Sequence, residues 1–296
     1  MAEPKRATVK KPLAAKLPWN DKAGRLAPLK AVTFGLLFLP PLWLLGRTLL
    51  GNLGPRPYTE AIHFLGDWTI YTLLIVLAIT PARRLLDWSK LIQVRRMIGI
   101  VALCYILGHF TLYIADSRLD LMFVWREIIF RVYLTIGITA IIGLVALGVT
   151  STDGMIKRLG AKEWNTLHRL IYAIGILAFI HFYMQSKVDV TRAVLFSGFF
   201  IWEMGYRVMA RFGWKEGLVP LTVLAVVAAF LTALAEATWY GLATGIGFWR
   251  VFDANLKFAQ IRPSWWVLAA ALGVTAVAEI RRRMRGQERG RVPAPA

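Results

Sequence analysis

Side chains able to bind a metal are scarce in this chain, and three of them sit in apolar surroundings. His109 lies in VALCYILGHFTLYIA, and His168 and His181 lie in NTLHRLIYAIGILAFIHFY. The chain has four histidines in 296 residues, so two in one apolar stretch is an uneven allocation. A neutral imidazole ligates transition metals through either ring nitrogen, and ionisable residues inside a membrane are functional candidates by default. The bland reading is a neutral histidine hydrogen-bonded to a neighbouring helix. Cys104, the one cysteine, stands in an apolar run. That excludes an intrachain disulfide or thiolate cluster, and the residue reads as a small buried hydrophobe.

The elements that must position these residues are apolar helices. Hydrophobic residues make up 57 % of the chain and the mean hydropathy is +0.54, which places it among polytopic membrane proteins. Only helices and closed barrels satisfy the backbone in lipid, and the apolar runs lack the alternation of barrel strands. The expected fold is all-α, a bundle of about eight transmembrane helices. The spans fall near Ala31–Leu50, Phe64–Thr80, Met97–Ala115, Val132–Val149, Asn165–Gln185, Ala193–Met209, Leu218–Ala235 and Trp265–Ile280.

The net charge of +19 does not indicate nucleic-acid binding, because the basic residues collect in tails and short loops. Counted between spans, 25 Lys and Arg fall on one side and ten on the other, so both termini are expected in the cytoplasm. Residues 1–30 read as a basic tail without the apolar core of a signal peptide. The outer segment Ala235–Ser264 reads as a re-entrant or surface-lying piece, a lid over the bundle.

Depth then relates the histidines. His109 is about 18 Å along its helix from Met97 and His181 about 24 Å along its own from Asn165, so both fall in the outer half of the membrane. Two imidazoles facing each other at similar depth are what a bis-histidine haem requires. Gly108, Ala173, Gly175 and Ala178 could leave room for a porphyrin, though the same residues serve ordinary helix packing. His168 lies about 20 Å nearer the cytoplasm than His181, and on an ideal helix points roughly 140° away from it. The matching position before His109 is Arg96, preceded by Arg95. Arginine is a poor iron ligand but a good partner for a haem propionate or a flavin phosphate. His168 therefore suits a second haem with an unusual partner, or a flavin or quinone site. His63, at the outer start of the second span, could bond a quinone or a propionate, or be merely interfacial. Glu203 and Arg207 read as a structural i,i+4 pair, and Ser151 or Thr152 as a helix cap.

Several stretches carry a family resemblance: HFLGDW with LAITPARRLL, VRRMIGIVAL before His109, RVYLTIGITA, and LGVTSTDGMIKRLGAKEWNTLHRLIY leading to Ile180–His181. Over roughly Ala31–Met209 the chain resembles the haem-binding membrane subunits of the bacterial protein-methionine-sulfoxide reductase system (MsrQ, formerly YedZ), within the wider ferric-reductase-like transmembrane domain. The resemblance implies a haem-binding domain over 31–210, with residues 211–296 adding two helices and a basic C-terminal tail. It also implies b-type haem on His109, His168 and His181, FMN, and residence in the inner membrane. Electrons would come from the quinone pool or a flavin reductase and pass to a periplasmic molybdopterin-containing reductase. Catalysis would then belong to that partner. Arg96 stands where the wider superfamily often has a histidine, which leaves a second haem open. No GxGxxG follows a strand, so no dehydrogenase domain of its own is expected. A cytochrome b with a different acceptor is the alternative. A transporter without a redox centre would need intramembrane acids along a path, and Glu203 is thin support for one.

Overall fold

The computed structural model describes residues 17–291 apart from 22, 188 and 259, with only the backbone of 286–291. Among the described residues the structure is helical, with a lone bridge between Asn20 and Leu26. The helices are α1 (Pro28–Leu49), α2 (Pro57–Leu85), α3 (Ile92–Asp116), α4 (Leu121–Phe130), α5 (Val132–Val149), α6 (Asp153–Leu159) and α7 (Ala161–His168). They continue as α8 (Leu170–Ser186), α9 (Thr191–Arg211), α10 (Leu218–Ala243), α11 (Phe248–Leu256) and α12 (Pro263–Arg291). Proline starts α1, α2 and α12, where its missing N–H would have no helical partner. Asp120 caps α4 by accepting from the Phe123 N–H, and Thr152 caps α6 by accepting from that of Met155, as expected of that loop. At Gly160, φ of +78° turns the chain from α6 into α7, a conformation that costs glycine little.

Seven helical stretches among the described residues are long and apolar enough to cross a membrane. They match seven of the eight expected spans. The remaining one became α9, which has spanning length but carries Glu203 and Arg207 within it. Of the tail expected over residues 1–30, residues 1–16 lie outside the described residues. At the other end α12 continues to Arg291 and residues 292–296 lie outside them.

The closest packing is of α2 on α3, α5 on α8, and α10 on α12 and α9. Ile70, Leu73, Leu74, Leu77, Phe179 and Phe200 join α2, α8 and α9 in one buried cluster, and Ala140, Leu144, Leu147 and Ile174 join α5 to α8.

Two internal prolines shape this packing. A helical proline deprives the carbonyl four residues earlier of its partner. Pro41 in α1 so frees Leu37, whose carbonyl accepts from the Tyr105 hydroxyl of α3. Pro81 in α2 frees Leu77, whose carbonyl accepts from Arg207 Nη2 at 2.6 Å. In a bilayer an orphaned carbonyl has no water to turn to, so each side chain from a neighbouring helix takes that role. This overturns the expected Glu203–Arg207 pair. Arg207 gives its guanidinium to the carbonyls of Leu77 and Glu203, and Glu203 Oε2 is buried without a hydrogen-bond partner.

The lid expected over Ala235–Ser264 is shorter than anticipated, because α10 continues to Ala243. It carries Glu236 into the interior, where Arg262 Nη1 and Asn255 Nδ2 each donate to its carboxylate at 2.8 Å. Ser264 donates to Asn255 Oδ1 at 2.8 Å, so the network packs the short helix α11 on α10 and ties it to the start of α12.

Candidate metal centre

His109 projects from α3 and His181 from α8, and their ring centres stand 6.5 Å apart with planes at 83°. Each ring is anchored at Nδ1. His109 donates to the Ile62 carbonyl at 2.8 Å, and His181 to the Tyr133 carbonyl at 2.7 Å. A carbonyl can only accept, so both Nδ1 atoms carry hydrogen and each Nε2 keeps its lone pair. Metal-bound histidines commonly use this arrangement, because the outer hydrogen bond fixes tautomer and ring orientation together.

Both anchors follow one local plan. The carbonyl of residue i in α2 or α5 accepts the imidazole, and residue i+4 is glycine: Gly66 after Ile62, Gly137 after Tyr133. A Cβ on Gly66 would stand 3.1 Å from His109 Nδ1, and one on Gly137 would stand 2.9 Å from His181 Nδ1. Glycine uncovers the carbonyl and admits the ring beside the helix. Carbonyl oxygen has two lone pairs, so the imidazole bond is compatible with the helical one.

The room expected beside Gly108, Ala173, Gly175 and Ala178 is not there. Gly108 faces a Leu65 methyl, Gly175 receives the Phe200 ring, Ala178 packs on the buried cluster and Ala173 is exposed. The signal for Gly66 and Gly137 lies in the stretches HFLGDW and RVYLTIGITA, but reading it requires knowing which helices meet.

The donor set can be tested against a haem. Two metal–nitrogen bonds of about 2.0 Å plus the two ring radii span roughly 6 Å, close to the spacing found here. Among the described residues, no group of three or more His, Cys, Asp or Glu could hold an ion by itself. Two imidazoles leave a tetrahedral zinc set incomplete, whereas a macrocycle supplies its own equatorial nitrogens. The residues therefore fit a bis-histidine haem.

The residues around His168 are arranged otherwise. The expected continuous helix through His168 and His181 is interrupted at Arg169, where backbone bonds run three residues back instead of four: Arg169 N–H to Thr166 at 3.2 Å, and Tyr172 N–H to Arg169 at 3.1 Å. The ideal-helix angle between the two histidines therefore does not apply. His168 stacks on Trp164 with ring centres 3.7 Å apart and donates from Nδ1 to the Trp164 carbonyl at 3.0 Å. Its Nε2 stands 3.2 Å from Ser151 Oγ, so a metal there would have to displace that contact. Arg96 pairs with Asp153 at 2.6 Å, while Arg95 lies within electrostatic range of Tyr172, Arg207 and Arg83. Both arginines lie within electrostatic range of His168. His63 is exposed beside Ile62, within electrostatic range of His109 and Asp67.

Residues 65–179 match the family model described as ferric reductase like transmembrane component, a range that contains His109 and His168 and ends two residues before His181. The chain is 38 % identical over 180 residues to the protein-methionine-sulfoxide reductase heme-binding subunit MsrQ of Rhodospirillum rubrum, covering 60 % of this chain and 84 % of that relative. The chain belongs to the MsrQ family. MsrQ of Caulobacter vibrioides is 36 % identical over 182 residues, 60 % of this chain and 87 % of its own. MsrQ of Herminiimonas arsenicoxydans is 39 % identical over 168 residues, 54 % of this chain and 77 % of its own. No solved structure matches. The MsrQ relatives are thus nearly spanned by little more than half of this chain, and α9–α12 lie beyond the range of the family model.

Proposed function

We propose that the chain is a haem b electron-transfer subunit that serves a protein-methionine-sulfoxide reductase. The observation that carries this reading is the pair His109 and His181, with ring centres 6.5 Å apart and each ring tied at Nδ1 so that Nε2 is left to ligate. Bound haem iron supplies one-electron chemistry, which none of the twenty side chains performs readily at physiological potential. The chain's own part is to hold two neutral imidazoles at a fixed spacing. Ile62 and Tyr133 set the tautomers, and Gly66 and Gly137 let the rings approach. His63, within electrostatic range of His109, is the residue that would bond a propionate.

In the same reading residues 31–210 form the haem domain in the inner membrane, with both termini cytoplasmic and the His109–His181 pair toward the periplasm. Electrons leave there for a periplasmic molybdopterin-containing reductase, which carries out the reduction of methionine sulfoxide. His168, Arg95 and Arg96 form the inner site, where electrons enter from the quinone pool or a flavin reductase. His168 ligates there, and the guanidiniums receive a propionate or the phosphate of FMN.

The full chain, purified and reduced, is expected to show the Soret, alpha and beta bands of haem b, and to reoxidise on addition of a periplasmic methionine-sulfoxide reductase and its substrate. A colourless preparation without haem by pyridine haemochrome would end the redox reading. A coloured one that the reductase leaves reduced would favour a cytochrome b with a different acceptor.

A further inference from the structure

An apolar cleft of about 430 Å³ runs between α2, α9 and α12, within the size range of small-molecule sites. Tyr71, Phe196 and Phe199 give it aromatic walls, and exposed Ile75 and Ala270 stand at its mouth. Two polar groups interrupt this lining. Glu203 is 3 % exposed and its Oε2 has no hydrogen-bond partner; Trp202 Nε1 is buried and likewise unpartnered. Native proteins seldom leave buried polar atoms unpaired, and in hydrocarbon the cost of doing so is highest. The nearby cation, Arg207, spends its hydrogen bonds in the structure on the Leu77 and Glu203 carbonyls and leaves Glu203 Oε2 without one.

One acceptor and one donor on adjacent residues, set in an aromatic cleft that opens to the side of the bundle, restrict what can fill it. An acyl chain would leave both groups unpaired. A phosphate headgroup would place anionic oxygens against a carboxyl group. A flat ring soluble in lipid, carrying hydroxyl or carbonyl oxygens, satisfies both.

We propose that this cleft binds the ring of a lipid-soluble quinone or quinol, with Glu203 accepting from a hydroxyl of the quinol or, as the carboxylic acid, donating to a carbonyl of the quinone, and Trp202 donating to the other ring oxygen. The assignment rests on the reading of the chain as an electron carrier fed from the membrane, and it seats the quinone of that reading in this cleft, apart from His168, Arg95 and Arg96. It also gives a role to α12, which contributes Ala270 and Val274 to the cleft and lies outside the range of the family model.

The test uses the full chain in lipid nanodiscs, an azido-quinone photolabel, decylubiquinone as competitor and peptide mapping. Saturable labelling is expected within 71–78, 196–203 or 270–274. Losing the carboxyl partner in Glu203→Leu is expected to weaken it by about tenfold. Ala270→Trp, a change at an exposed position, closes the mouth and should weaken it at least as much. Labelling elsewhere, labelling that decylubiquinone does not displace, or labelling equal to wild type in both variants would overturn the assignment. Haem absorbance recorded on the same samples separates this outcome from failure of the haem reading, since the photolabel reports binding whether or not haem is present.

Discussion

Two sets of polar groups are held among the apolar helices, and they follow opposite plans. Around Glu236 the carboxylate is closed off by its neighbours: both oxygens are taken, by Arg262 and Asn255, and Ser264 bonds Asn255, although Arg262 Nε is buried without a partner. Around His109 and His181 each ring has one nitrogen bound to a main-chain carbonyl and one left over. A closed network holds helices together. A network with a spare lone pair on each side is completed only by something from outside. The contrast separates structure from site more sharply than burial does, since the half-buried histidines are the less enclosed of the two.

Substitutions in the two regions should therefore read out differently. The largest effect is expected from His109→Ala or His181→Ala, each of which removes one axial bond and should abolish haem absorbance at this site by pyridine haemochrome. Full haem content in either variant would break the contrast. Next comes Glu236→Ala, which leaves Arg262 without its counter-charge and should cost about 3 kcal/mol of stability. Thermal unfolding followed by tryptophan fluorescence would measure it, with haem per folded chain unchanged. Parallel loss of haem would mean that the two regions are coupled.

Smaller again is Gly137→Ala. Its Cβ meets the His181 ring at 2.9 Å and forces it off its rotamer, at about 1 kcal/mol. A several-fold weaker haem affinity in titration of the apoprotein is expected, while Gly46→Ala, with nothing within 4 Å of its Cβ, should bind as wild type. The smallest is Asp120→Ala, which uncaps α4 at about 1 kcal/mol and should appear only as faster hydrogen exchange of the α4 amides.

The histidines were legible because an imidazole in an apolar run is conspicuous, and helical rise alone gives its depth. The helices were legible for the same reason. What escaped was every feature that depends on which helices are neighbours. Gly66 and Gly137 read as ordinary packing residues until α3 and α8 are placed beside them. Arg207 four residues after Glu203 fits a local pair, yet the carbonyl it serves was freed by Pro81 on another helix. Glu236 marked the expected end of a span because its partners, 19 and 26 residues further on, are invisible to a hydropathy window.

The anchors of the two imidazoles carry one more consequence, for how this sequence can drift. Main-chain oxygen is supplied by all twenty amino acids, so no side-chain replacement at 62 or 133 deletes the acceptor itself. Those positions answer only to their own packing. The mutational constraint falls four residues later, at 66 and 137, where any side chain larger than hydrogen crowds the ring. The ligand geometry is thus buffered against change at the residues that make the bonds and exposed to it at two that make none.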